Sequence, residues 1–148
     1  MRFRRLLISG SVIIALLASA WAPAQAGSRS GTYRARLLRV VNDVRSHHGL
    51  RRLDVNVKLS GYAKRHSNEM ADRRWLFHTN DLYSRVRAYR ATAWGENVGV
   101  GGTIGRVVKA WMRSSGHRAN VLNGRFRKTG IGVVKRAGRV WITQIYYG

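Results

Sequence analysis

From Tyr33 onward the apolar positions Leu37, Val40, Val41 and Val44 return at three- and four-residue intervals, the spacing of one buried stripe on a helix. Gly49 follows the stripe and fits a helix C-terminal cap. Asp54 or Asn56 stands where a cap would open a second helix running to about Arg74, with Leu59, Tyr62, Ala63, His66 and Met70 on its inner face. Trp75, Leu76 and Phe77 end that helix and lead into His78. Asn80 to Arg90 reads as a connecting loop or a short helix. The pattern then changes: Thr92-Ala93-Trp94 begins a strand-like run through Gly95-Glu96-Asn97-Val98, which Gly99, Gly101 and Gly102 are expected to break. Thr103 fits the cap of a third long helix with Ile104, Val107, Val108, Trp111 and Met112 on its stripe. A short helix is expected from His117 to Leu122, with a turn at Asn123-Gly124. Strands are expected over Thr129 to Lys135 and Arg139 to Tyr147, joined by a tight hairpin at Ala137-Gly138. Helices first, then a strand, a helix and a hairpin predict an α+β domain with helices on a small antiparallel sheet.

The first segment stands outside this pattern. Arg2, Arg4 and Arg5 precede an apolar stretch from Leu6 to Ala20, and Ala24-Gln25-Ala26 has the small-x-small form of a cleavage site. The stretch is shorter than the roughly 20 apolar residues that span a bilayer. Residues 1–26 are therefore expected to be a signal peptide, 27–31 a short polar lead-in and 32–148 one domain, with no transmembrane segment after cleavage. An exported chain can form disulfides, yet this one has no cysteine. Thiolate catalysis and cysteine metal sites are excluded, and the fold must rest on packing.

Charge narrows the partners. The formal net charge of +22 falls by the three leader arginines to +19 on the expected mature chain. Such a field attracts anionic wall polymers and anionic lipid surfaces. Nothing in the sequence carries specific nucleic-acid recognition. The charges are scattered along the chain, so a solvated cationic face is the alternative reading.

Three blocks carry the candidate chemistry: Phe77-His78; Gly95-Glu96-Asn97-Val98; and Trp111 with Ser115-Gly116-His117-Arg118-Ala119-Asn120-Val121-Leu122. Two imidazoles and a carboxylate come from separate element ends, the way a site is assembled on a scaffold. Taken in order, with the helical segment before them and the Gly130-Ile131-Gly132 hairpin strand after, the blocks resemble the CAP superfamily of cysteine-rich secretory, antigen 5 and pathogenesis-related 1 proteins. The resemblance covers about Leu37 to Tyr147 and looks like the cysteine-free bacterial branch. It implies a three-layer α-β-α sandwich and a central cleft in which His78 and His117 hold a divalent metal such as zinc, with Glu96 as ligand or orienting carboxylate. Larger members carry a second glutamate three residues after the helix tryptophan; here Ser114 holds that place.

Each residue also has a structural reading. His78 fits a helix end, Glu96 an acceptor for loop amides, and His117 a packed helix-start residue. Asn97 and Asn120 read as turn and cap residues, and Trp94, Trp111 and Trp141 as core. His47 and His48 are adjacent and make a poor metal pair. His66 reads as a satisfied buried histidine, and Glu69 as solvated or ion-paired. No organic cofactor motif is present. The reading that emerges is a secreted or wall-associated binding module with a His/Glu cleft. The alternative is a metal-assisted hydrolase of peptide or wall substrates, with Glu96 as candidate general base.

Overall fold

The computed structural model describes residues 29–148, with side chains from residue 31. The expected signal peptide lies outside the described residues. Helix α1, Arg29–His47, starts inside the stretch read as a lead-in and buries Leu37 and Val41 completely. Gly49 closes it at φ 69°. The short strand β1, Asp54–Val55, has too few residues to show a period, and the hydrophobic pattern did not reveal it. Asn42 clips the chain just before it: its Nδ2 donates to the Leu53 carbonyl at 3.0 Å and its Oδ1 accepts from the Leu53 amide at 2.8 Å.

Helix α2, Val57–Arg73, is opened by Asn56, whose side chain accepts from the Leu59 amide. Of the two expected caps, Asn56 is the one used. Leu59, Ala63, His66, Ser67, Met70 and Ala71 form its buried face. That face lies directly on strand backbone. A Cβ on Gly132 would stand 2.2 Å from the Ala63 carbonyl carbon, so only glycine permits so close an approach. After α2 come helix α3, Leu82–Val86, and a single 3-10 turn, Arg87–Tyr89.

Strand β2 covers Trp94–Gly101. It does not break at Gly99, because its ladder with the last strand continues through Gly99 opposite Ile142 and Gly101 opposite Val140. Helix α4, Ile104–Arg113, is capped by Thr103 as expected. Helix α5, Ser115–Val121, begins two residues before His117. Strands β3, Lys128–Arg136, and β4, Arg139–Tyr147, meet at Ala137-Gly138. Both turn residues have positive φ, 47° and 73°, the signature of a type I′ hairpin turn.

The sheet order is β1-β3-β4-β2, with β1 parallel to β3 and the other pairs antiparallel. Leu37 and Val41 of α1, the α4 stripe and Val121 of α5 pack with Ile131, Val133, Val140, Ile142 and Tyr146 on one face. Leu59, Ala63, Met70 and Ala71 of α2 pack with Ile145, Tyr147, Val98 and Trp141 on the other. This is the α-β-α sandwich, and it explains why β4 is buried on both faces along most of its length. Trp111 and Trp141 are core residues, as expected. Trp94 is not: it is 43% exposed, with only Tyr83 of α3 resting against it at 4.9 Å among ring contacts of the described residues.

Arg45 ties the layers together. Fully buried, it donates to the carbonyls of Arg51, Val121, Asn123 and Phe126. Burial lowers its pKa from the ordinary arginine value. Its charge is met by carbonyl dipoles, which holds the α5–β3 turn against α1.

Candidate functional site

Strand β2 is one of the two outer strands of the sheet, and its edge away from β4 is where the candidate site is built. Ala93 and Gly148 exchange both backbone hydrogen bonds, at 3.1 and 3.0 Å. By the alternation of an antiparallel ladder, Glu96 and Val98 then turn their backbone groups away from β4. Two side chains meet them. Asn120 Nδ2 donates to the Glu96 carbonyl at 3.0 Å and Trp111 Nε1 to the Val98 carbonyl at 2.9 Å. These bonds close an exposed edge and fix α4 and α5, and therefore Ser114 and His117, relative to Glu96.

Asn97 completes the clamp. Its Nδ2 donates to the His117 carbonyl at 3.0 Å and to the Tyr146 hydroxyl at 3.3 Å, while its Oδ1 accepts from Asn120 at 2.9 Å. Burial raises the pKa of Tyr146, so the hydroxyl stays protonated. Asn97 and Asn120 are thus not turn and cap residues; they join β2 to α5. Gly95 leaves room for this contact, since a Cβ there would lie 2.5 Å from Asn120 Oδ1.

The Glu96 carboxylate faces the opposite wall. Its side chain is 3% exposed. Oε1 accepts from the Thr79 amide at 2.9 Å and lies 2.7 Å from His78 Nδ1, and Oε2 accepts from Thr79 Oγ1 at 2.5 Å. Both oxygens are occupied. His78 sits on the loop after α2, beyond its cap residue Arg74, so it does not serve as a helix-end residue. With 61% of its side chain exposed, its Nδ1 is anchored and its Nε2 is presented outward. Thr79 was missed in the sequence: it follows His78 directly, but a lone threonine in a loop carries no periodic signal.

On the other wall His117 Nδ1 lies 2.9 Å from Ser114 Oγ, and the ring stacks on Trp111 at 6.4 Å and 24°. Ser114, at the position where the resemblance implies a glutamate in larger members, engages the histidine itself. Burial, and then the neighbouring His78, lowers the pKa of His117. A trough of about 410 Å³ leads away from Ser114 and His117 between α4 and the loop carrying Leu76, past Val100 to Arg106.

Behind the cleft His66 is 5% exposed, edge-on to Phe77 at 5.0 Å. Its Nδ1 pairs with Thr143 Oγ1 at 3.1 Å, but its Nε2 is buried without a partner. Only one of its two nitrogens is satisfied, and burial lowers its pKa. His47 and His48 are exposed at the end of α1, and Glu69 pairs with Arg73 at 2.7 Å. Among the described residues no group of three or more histidine or carboxylate side chains could hold a metal ion.

The profile of the cysteine-rich secretory protein family, CAP, matches residues 38–146. The chain belongs to the CAP family. YkwD of Bacillus subtilis (strain 168), an uncharacterized protein, is 34% identical over 128 residues, spanning 80% of this chain and 49% of its own. An extracellular SCP-domain protein of Bacillus anthracis superposes with a TM-score of 0.67 at 26% identity, over 80% of this chain and 41% of its own. A cysteine-rich secretory protein of Staphylococcus aureus does so with a TM-score of 0.65 at 24% identity, over 81% and 40%. This CAP chain spans about half the length of these relatives, or less. Its structural neighbours include extracellular proteins, and no helix among the described residues is long and apolar enough to cross a membrane.

Proposed function

We propose that this CAP protein is an exported binding module whose cleft takes a divalent metal such as zinc between the Nε2 atoms of His78 and His117. One observation carries the reading. Both imidazoles are anchored through Nδ1, to Glu96 Oε1 at 2.7 Å and to Ser114 Oγ at 2.9 Å, and no protein group among the described residues takes either Nε2. That is how histidine ligands are oriented from behind. When bound, the ion supplies positive charge and open coordination positions for a donor atom of the ligand.

Of the two roles considered for Glu96, the orienting one is supported, because both its oxygens are already engaged. The same saturation speaks against Glu96 as a general base. Two imidazoles also fall short of the three protein ligands usual for a catalytic zinc. Recognition therefore fits this donor set better than hydrolysis does.

The test is a calorimetric zinc titration of the purified protein beside its His78→Ala, His117→Ala double variant. We expect saturable binding that the double variant loses by at least about tenfold. Equal affinity in both proteins overturns the proposal and makes the histidines structural.

A further inference from the structure

A second concavity lies on the α2 side of the sheet, at the β3–β4 hairpin, and shares no residue with the histidine cleft. It encloses about 520 Å³ and is lined by Asp72 and Arg74 at the end of α2, Arg136 and Arg139 at the hairpin mouth, and a floor of Ala71 and Trp141. Asp72 and Arg136 form an ion pair. Arg139 lies over the Trp141 ring at 6.0 Å. Neither Arg74 nor Arg139 has a carboxylate partner among the described residues. The lining thus holds two uncompensated guanidinium forks and a formal charge of +2.

Two local features run against ordinary stability rules, and both lie at the lining of this cavity. Arg74 closes α2 at φ 53°, ψ 32°, a left-handed conformation where glycine or asparagine is usual and a long side chain is disfavoured. Arg136 and Arg139 stand directly opposite one another in the ladder, where like charges destabilise a strand pair. Local costs that converge on one concavity are a mark of function.

We propose that this pocket binds a phosphate-bearing anion, held by the forks of Arg74 and Arg139, with its attached polyol carbons against Ala71 and Trp141. Guanidinium forks match phosphate oxygens in a bidentate manner, and a phosphomonoester dianion, or two successive phosphodiesters, balances the charge. The phosphate can come from an anionic lipid headgroup or from a soluble glycerol-phosphate unit.

The test follows the Trp141 indole N–H and the Gly138 amide by NMR while the protein is titrated with inorganic phosphate and glycerol phosphate. Cosedimentation with phosphatidylglycerol vesicles, against phosphatidylcholine vesicles, forms the lipid arm. We expect saturable shifts, a loss of affinity of at least about tenfold in Arg74→Gln, Arg139→Gln, and less than about twofold in Arg36→Gln, Arg39→Gln, which removes the same charge from the exposed face of α1. Asp72→Asn, which frees Arg136, is expected to tighten binding several-fold, a gain that misfolding cannot imitate. Saturation by the soluble ligand or by vesicles alone supports the pocket and identifies the source. Absence of saturation in both arms, equal losses in the two arginine pairs, or no gain in Asp72→Asn overturns it. His78→Ala, His117→Ala should bind phosphate normally, so this proposal and the metal site fail separately.

Discussion

His78 and His117 are each anchored through Nδ1, but by opposite means. On the wall formed by β2 and the loop after α2, a buried carboxylate anchors an exposed imidazole, and the carboxylate is itself satisfied by both donors of Thr79. On the α5 wall there is no carboxylate. A hydroxyl three residues back in the chain and the face of Trp111 hold the ring, and Asn97 and Asn120 hold the helix that carries it. A buried charge requires a complete set of donors, so the first wall depends on Glu96 alone. The second spreads its support over packing and several neutral hydrogen bonds. Burial, and then the neighbouring His78, shifts His117 toward the neutral form.

The largest effect is expected where that dependence is greatest. Glu96→Ala leaves the Thr79 amide and hydroxyl buried without acceptors and releases His78, for a loss of about 2–4 kcal/mol in chemical denaturation. A loss below about 1 kcal/mol would mean that the first wall relaxes and that the asymmetry is only apparent. Asn120→Ala strips the Glu96 carbonyl and Asn97 Oδ1 of a shared donor and loosens α5, at a cost of about 1–2 kcal/mol. It should also weaken zinc binding through His117 without touching either imidazole, and unchanged zinc affinity would show that α5 is held by its apolar contacts alone.

The smallest effect is in the pH profile. His66 and His117 both have pKa values lowered by burial from the ordinary 6.5. Below about pH 6.5 the unfolded chain therefore binds more protons than the folded one. The metal-free protein should lose stability as pH falls through that value, levelling off once the lowered folded-state pKa values are passed. Ser114→Glu places a carboxylate beside His117 and should raise its NMR-measured pKa, removing part of the acid loss and leaving the His66 share. No change in the His117 titration would sink the account of the second wall.

Much of this molecule is legible from local pattern. The stripes of α1, α2 and α4, the Asn56 and Thr103 caps and the Ala137-Gly138 turn all follow from residues a few positions apart, because helix period, capping and turn chemistry act over that range. The order of the three sequence blocks likewise marks His78, Glu96 and His117. What local pattern could not show are relations between distant segments. Strand β1 exists only because β3 lies beside it, and β2 continues past Gly99 because β4 offers a partner. Thr79 matters only because Glu96, 17 positions away, is brought to it. Asn120 and Trp111 close the edge of β2 only once α4 and α5 lie along it.

The arginines make the same point. Along the sequence Arg74, Arg136 and Arg139 are three among many scattered charges. They become one pocket when the hairpin mouth comes to rest beside the end of α2. The sequence by itself determined the helices and the long strands, the family and the chemical types available, since each is encoded in short-range spacing. The tertiary structure decided which polar groups meet, because hydrogen bonds and ion pairs depend on ångström-scale distances that only the packed layers define.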